Sequence, residues 1–263
     1  MGTGMDERAR PLRFENPPVR RTNLALRYEA TGHVQASHVA PLRSLWRDAY
    51  PNVDEQVPTP PSEGPQAIRL SGRGTTWPLA RTTYSTSDGQ RSIEFQGDEF
   101  GIAWEFSEDS SYPGFEELVR ELEERLADFE KTLRDEAGIS LVITGAECRY
   151  ENVIDGVDVA GLATGVLTGW TGTPGGHLPG AGYVGVRIHA CADEDSHKCS
   201  SYLAVDGDVG DESIFSISVS RNVDSSEEST LGGMRDAHDE LIELFVQYTS
   251  EEQREAWGRV ELS

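Results

Sequence analysis

The chain has 263 residues, enough for one large domain or two coupled halves, and its 37% hydrophobic content is that of a globular protein. Its 46 acidic residues against 23 basic ones give a net charge of −23, which repels nucleic-acid phosphates and anionic membranes. No apolar run is long enough to span a bilayer, the N-terminus lacks the apolar core of a signal peptide, and three cysteines do not suggest a disulfide framework. We therefore expect a cytoplasmic protein with no direct nucleic-acid or membrane binding.

An arginine-rich N-terminal segment precedes the first predicted strand. We predict that residues 1–13 form a mobile basic arm and that residues 19–30, VRRTNLALRYEA, form a strand in which apolar and polar side chains alternate. Ser37 is predicted to cap a short helix that ends before Pro51. Five basic side chains are predicted to contact an acidic partner or the chain's own acidic surface: Arg8, Arg10, Arg13, Arg20 and Arg21.

The segment 52–66 is rich in proline and polar residues, so we interpret it as an extended surface loop. Three strands are predicted after it: 77–85, 91–95 and 100–106. Glu94 and Glu105 fall on the face opposite Ile93 and Phe95. These two carboxylates form either the solvent face of a sheet or a catalytic pair, and we favour the solvent face.

The strongest pattern in the chain predicts a long helix between Tyr112 and Gly138. Seven apolar residues recur at helical spacing and form one stripe: Phe115, Leu118, Val119, Leu122, Leu126, Phe129 and Leu133. The acidic residues between them are expected to face water. Pro113 favours a helix start, and Gly138 favours a left-handed stop. A helix of about 35 Å, at 1.5 Å per residue, can cross a whole sheet.

The second half of the chain is predicted to consist mainly of strands. These lie at 141–154, 183–191, 197–205 and 214–221, and a helix follows at about 231–248. The glycine-rich segment 172–182 is interpreted as a hinge, a lid or a plain loop.

These elements predict an α+β fold of two coupled halves, each a mainly antiparallel sheet packed on an amphipathic helix. Residues 14–110 form the N-terminal β-α-β-β-β half. Residues 111–263 carry the long helix, the C-terminal antiparallel sheet and the terminal helices. A diverged duplication is one origin of the two halves, and one continuous domain is the alternative arrangement.

The order of several short motifs resembles a sporadically distributed bacterial family of uncharacterised proteins. Asn16-Pro17-Pro18 leads into the first strand, and Leu45-Trp46 lies in the first helix. Tyr112-Pro113 precedes the long helix, and Arg149-Tyr150-Glu151-Asn152-Val153-Ile154 lies on the strand after it. Together they span most of the chain. The resemblance implies a two-part α+β fold. The family has no assigned activity and therefore no catalytic residues to carry over.

The segment RIHACADEDSHKCSSY has the residue types of a zinc site. His189 and Cys191 are two residues apart, as are His197 and Cys199, and residues at this spacing share one face of a strand. If Cys191 lies opposite His197 in a hairpin, all four side chains project from one face, with chemistry that suits zinc. The flat array and the missing Cys-x-x-Cys spacing argue against zinc, and the alternatives are a cross-strand disulfide or four unpaired residues.

We interpret the chain as a non-catalytic binding or assembly protein that recognises a protein partner or a small ligand. Recognised catalytic motifs are missing from a sequence that has a large acidic surface and a glycine-rich loop. The patchy distribution of the family it resembles adds the hypothesis of an accessory role in a mobile or phage-defence locus. The alternatives are a metal-dependent enzyme built on the His/Cys face and an acidic mimic of nucleic acid that inhibits a basic protein. No cofactor is assigned, and zinc is the candidate. The sequence does not predict the oligomeric state.

Overall fold

The computed structural model of the chain describes residues 13–14, 16–58, 79–108, 111–154, 183–191, 199–208, 213–223 and 230–260. The strands in these ranges are β1 (Arg13–Phe14), β2 (Val19–Ala30), β3 (Asn52–Gln56), β4 (Arg81–Ser85), β5 (Arg91–Phe95), β6 (Glu99–Glu105), β7 (Leu141–Ile154), β8 (Tyr183–Cys191), β9 (Cys199–Asp208), β10 (Ser213–Asn222) and β11 (Arg259–Val260). The helices are α1 (Ala36–Val39), α2 (Leu42–Trp46), α3 (Phe115–Ala137), α4 (Thr230–Tyr248) and α5 (Glu251–Ala256). None of these helices is both long enough and apolar enough to cross a bilayer.

Nine strands form one antiparallel sheet in the order β3-β4-β5-β6-β2-β7-β10-β9-β8, and β1 pairs with β11 in a separate two-stranded sheet. With its helices, this is the predicted α+β class. The chain divides into two compact units, of which the first consists of Asn23–Glu147 and Asn222–Gly233. The second consists of Met1–Thr22, Cys148–Arg221 and Met234–Ser263. In this division α3 belongs to the same unit as β4, β5 and β6, and the predicted boundary at residue 110 stays a prediction.

The apolar stripe of α3 forms the core of the first unit. All seven predicted stripe residues are buried, so the predicted stripe is confirmed. The Phe129 ring lies at its centre, with ring-centroid distances of 5.0 Å to Phe100, 5.1 Å to Phe95 and 6.1 Å to Tyr28. Removing a side chain of this size from water contributes about 1.5–3 kcal/mol to folding. The helix is therefore held to the sheet mainly by apolar burial.

Both ends of α3 follow from local chemistry. Glu116 and Glu117 lie in the first turn, where carboxylates interact favourably with the positive end of the helix dipole. Gly138 has a φ of 64°, and its N–H donates to the Arg134 carbonyl at 3.0 Å. The next N–H, of Ile139, donates to a carbonyl one residue earlier in the helix at 3.2 Å. These two bonds satisfy carbonyls at the end of the helix, and the predicted left-handed stop is confirmed.

Helix α4 supplies apolar side chains to the core of the second unit. Leu241 is fully buried, and the Phe245 ring lies 6.5 Å from the Phe215 ring of β10. Asn152 of β7 is also fully buried, and its side-chain amide donates to the Phe215 carbonyl at 3.0 Å. His238 of α4 lies against a tyrosine ring of the same strand. This unit therefore combines apolar packing with a buried side-chain-to-backbone hydrogen bond.

The bounds of β2 and β7 are the predicted ones. Two predictions between residues 35 and 56, however, are wrong. The predicted helix consists of the two short helices α1 and α2, and Gln35 rather than Ser37 precedes the first of them. The Gln35 N–H donates to Nδ1 of His38 at 3.3 Å. The predicted surface loop after Pro51 begins with strand β3.

Candidate functional site

Strand β3 is the edge of the nine-stranded sheet. It pairs with β4 on one side, and no strand of the described ranges pairs with its other side. All five of its residues are exposed, and Val57, just beyond it, is 78% exposed. The side-chain amide of Asn52 donates to the Thr86 carbonyl at 3.0 Å, which ties the start of β3 to the β4–β5 turn. Such an edge offers N–H and C=O groups to an incoming strand.

The hydrogen-bond pattern shows which backbone groups of β3 face outward. In an antiparallel sheet, successive residues of a strand bond alternately to its two neighbours. The Thr86 N–H donates to the Arg91 carbonyl at 2.9 Å, so even-numbered residues of β4 bond to β5 and odd-numbered residues bond to β3. Asp54 lies opposite an odd-numbered residue of β4 and therefore bonds inward. Val53 and Glu55 consequently each turn one donor and one acceptor to the open edge.

The side chains of β3 divide between the two faces of the sheet. Val53 lies opposite Tyr84, whose ring is 5.3 Å from the buried Trp46 ring, so Val53 is on the face that carries the core. Glu55 is two residues further along and shares that face, whereas Asp54 lies on the other. The two carboxylates of the edge therefore project to opposite sides of the sheet.

The edge formed by β3 carries negative charge on both faces of the sheet. Asp54 accepts a hydrogen bond from the Gln56 side-chain amide at 2.7 Å. Across the described ranges, no arginine or lysine forms an ion pair with Asp54 or Glu55. An approaching partner therefore meets two carboxylates whose charge no cation of the described ranges neutralises.

The sheet face that points away from α3 carries ion pairs between neighbouring strands. Arg81 of β4 pairs with Glu94 of β5, and Arg27 of β2 donates to Glu147 of β7 at 3.0 Å. Burial, and then the nearby Glu147 carboxylate, raise the pKa of Glu99 on β6. The Glu94 carboxylate is thus neutralised by a guanidinium, and its side chain is only 13% exposed.

A separate set of polar contacts fixes α3 against the segment that includes α2. The Tyr50 hydroxyl donates to Glu121, Arg91 donates to the same carboxylate at 2.6 Å, and the Trp46 Nε1–H donates to Asp128 at 2.9 Å. Burial and the hydrogen bond to Glu121 raise the pKa of Tyr50. Because these groups are bound to one another, we assign them to the support of the core on which β4 and β3 rest.

The strand register of the His/Cys segment differs from the one on which the shared face of the four residues was conditional. Cys191 lies opposite Ser200, whereas that face required Cys191 to lie opposite His197. In this register His189 lies opposite Tyr202, whereas the shared face required it to lie opposite Cys199. His197 and the side chains of the other three lie outside the described residues, so metal binding there stays a prediction. Among the side chains that are described, no group of three or more His, Cys, Asp or Glu residues could hold a metal ion.

The arginines predicted to bind a partner occupy different elements. Arg13 lies in β1, which pairs with β11. Arg20 and Arg21 lie in β2, are half-buried and already interact with other groups of the chain. Arg8 and Arg10 lie outside the described ranges. Partner binding by these side chains stays a prediction.

A shallow recess of about 440 Å³ lies beside α4 in the second unit. Its lining combines Arg221 with acidic side chains of the helix, and Arg221 donates to Glu240 at 2.9 Å. We assign no ligand to this recess, because its cation is already paired and the rest of its charge has one sign. The glycine-rich segment 172–182, which the sequence suggested as a hinge, a lid or a plain loop, lies outside the described residues.

Neither a family model nor a curated protein matches this chain. The resemblance to a sporadically distributed bacterial family therefore gains no support from these comparisons.

Strand β3 is one of the strands that the sequence interpretation missed, together with β1 and β11. The prolines after Val57 suggested a loop, and the short run from Val53 to Val57 lacks an apolar face that a core would bury. An edge strand that is exposed on both faces needs no such face. Its sequence signal was limited to a single β-branched residue among polar ones, which is weak evidence for a strand.

Proposed function

We propose that the protein is a non-catalytic binding module that recognises a protein partner by adding one of the partner's strands to the open edge of β3. The observation that carries this proposal is the exposed β3 edge, with the outward backbone groups of Val53 and Glu55. In this mode of binding, main-chain hydrogen bonds supply affinity and the side chains beside the strand supply specificity.

Strand β3 is a suitable template because it is already ordered. It pairs with β4 along its whole length, and Asn52 is tied to the β4–β5 turn. A preformed edge loses little conformational entropy when a strand is added, which lowers the free-energy cost of binding. Val53 and Val57 are 38% and 78% exposed, so an added strand would also cover apolar surface.

The other functions predicted from the sequence are separable from this one by measurement. A metal-dependent enzyme at the His/Cys segment requires zinc near stoichiometry in protein purified without a histidine tag, and loss of activity in Cys199→Ser. A nucleic-acid mimic requires a salt-sensitive complex with a basic nucleic-acid-binding protein. A small-ligand receptor requires a co-purified molecule that intact-mass analysis detects. The accessory role in a mobile or phage-defence locus depends on the identity of the partner.

Partner capture from a lysate of the source cells tests the proposal, with the wild-type protein and Val53→Pro as baits. Proline at position 53 removes an outward N–H and leaves the inward hydrogen bonds to β4 in place. We expect a partner that the wild type retains and Val53→Pro loses. Val142→Ser, which removes an exposed valine from β7, is the control and should retain the partner. Equal retention by Val53→Pro, with an unchanged circular dichroism spectrum, would contradict the proposal.

A further inference from the structure

We infer that the strand accepted by β3 belongs to a basic, extended segment of another protein, an inference that rests on the proposed function. Asp54 and Glu55 are adjacent in the strand, so their carboxylates lie on opposite faces of the edge. An added strand therefore meets negative charge on both faces. Lysine or arginine opposite these two positions forms cross-strand pairs of opposite charge, which stabilise a sheet.

The charges of the edge disfavour a second copy of this chain as the occupant. In a symmetric antiparallel pairing centred on Asp54, the Asp54 carboxylates of the two copies lie opposite each other. In a pairing centred on Glu55, the Glu55 carboxylates of the two copies lie opposite each other. Like charges in directly opposite positions destabilise a sheet, and each chain has a net charge of −23. Charged residues on edge strands commonly prevent self-association in this way. The same charges favour a basic partner.

The backbone geometry defines the sequence pattern that the partner needs. Antiparallel addition is slightly more stable per residue than parallel addition, so the partner runs opposite to β3. From its N-terminus it then places a basic residue opposite Glu55, a second basic residue opposite Asp54 and an apolar residue opposite Val53. Asp54 bonds inward, so the pair it forms with the added strand is of the non-hydrogen-bonded type, in which side chains lie closest. The basic residue opposite Asp54 therefore contributes more to the affinity than the one opposite Glu55.

The peptide Val-Thr-Arg-Lys-Val-Thr matches this pattern, with its first valine opposite Val57 and its last threonine opposite Asn52. Its neutral and acidic counterparts are Val-Thr-Gln-Asn-Val-Thr and Val-Thr-Glu-Asp-Val-Thr. NMR titration of the full chain measures the dissociation constants of all three, including weak ones. We expect the basic peptide to bind at least about five-fold more tightly than the neutral one, and the acidic peptide to bind most weakly. Salt should reduce this preference.

Two charge variants with the same net charge locate the source of the preference. Asp54→Asn/Glu55→Gln neutralises the edge, and we expect the preference for the basic over the neutral peptide to fall within about two-fold. Glu123→Gln/Glu136→Gln removes the same charge from exposed positions of α3 and should leave the preference unchanged. An equal effect of both variants would overturn the inference, because the overall charge of the chain would then select the peptide.

Val53→Pro distinguishes failure of this inference from failure of the proposed function. If the three peptides bind equally and Val53→Pro weakens all of them, the edge accepts a strand without charge selection, so the inference is wrong and the proposed function stands. If Val53→Pro binds the peptides as tightly as the wild type does, both are wrong. If sedimentation shows a dimer that Val53→Pro dissociates, a second copy occupies the edge and the inference is overturned.

Discussion

Replacement of Phe129 by alanine tests whether α3 anchors the core of the first unit. The Phe129 side chain is fully buried, and its ring contacts those of Phe100, Phe95 and Tyr28 at centroid distances of 5.0, 5.1 and 6.1 Å. Truncation of a core phenylalanine to alanine costs about 3–5 kcal/mol, and each aromatic pair adds about 0.5–1.5 kcal/mol beyond the buried area. Three rings lose a neighbour here. We therefore expect a loss of about 4–5 kcal/mol in the free energy of unfolding, a large part of the 5–15 kcal/mol typical of a domain.

Urea unfolding followed by circular dichroism and by tryptophan fluorescence measures this loss. The two signals have to coincide before one free energy is assigned, because the chain contains two units. Phe129→Leu keeps most of the apolar volume and is expected to cost about 1.5 kcal/mol. Glu123→Ala, at an exposed position of the same helix, should stay within about 0.5 kcal/mol of the wild type. A loss below about 2 kcal/mol for Phe129→Ala, or an equal loss for Glu123→Ala, would refute the central position of this ring.

Three further predictions concern single interactions. Arg91→Met should lower the free energy of unfolding by about 1–2 kcal/mol in urea unfolding, because it leaves the half-buried Glu121 carboxylate without its 2.6 Å partner; no loss would mean that the contact is screened by solvent. Burial and the Glu147 carboxylate raise the pKa of Glu99, so the stabilising contribution of Glu99 is present at low pH and is lost as pH rises through its folded-state pKa. Glu99→Gln should therefore become more stable relative to the wild type between acidic and neutral pH, and the opposite trend would contradict the direction of this shift. Gly138→Ala should cost about 1 kcal/mol through its φ of 64° alone, since no atom beyond residues 137–139 lies within 4 Å of the added Cβ. An unchanged melting temperature would show that the helix end relaxes.

Local sequence patterns were sufficient for the elements that carry their own apolar face and their own end signals. The seven stripe residues of α3 and its stop at Gly138 are read from 3.6-residue spacing and from the one residue type that adopts a positive φ without strain. The strands β2 and β7 were placed with the observed bounds, and buried and less buried residues alternate in the central part of each strand. In each case the residues that define the element are neighbours along the chain.

The sequence by itself determined the α+β class, the long helix and the side chains that this helix buries. Only the tertiary structure decided that residues 52–56 form a strand, that this strand is the edge of the sheet, and that Cys191 lies opposite Ser200. The physical reason is that periodicity and capping act over a few residues. Strand pairing and register instead depend on which distant segment supplies the matching backbone hydrogen bonds, and for β3 that segment begins at Arg81, beyond a long proline-rich stretch.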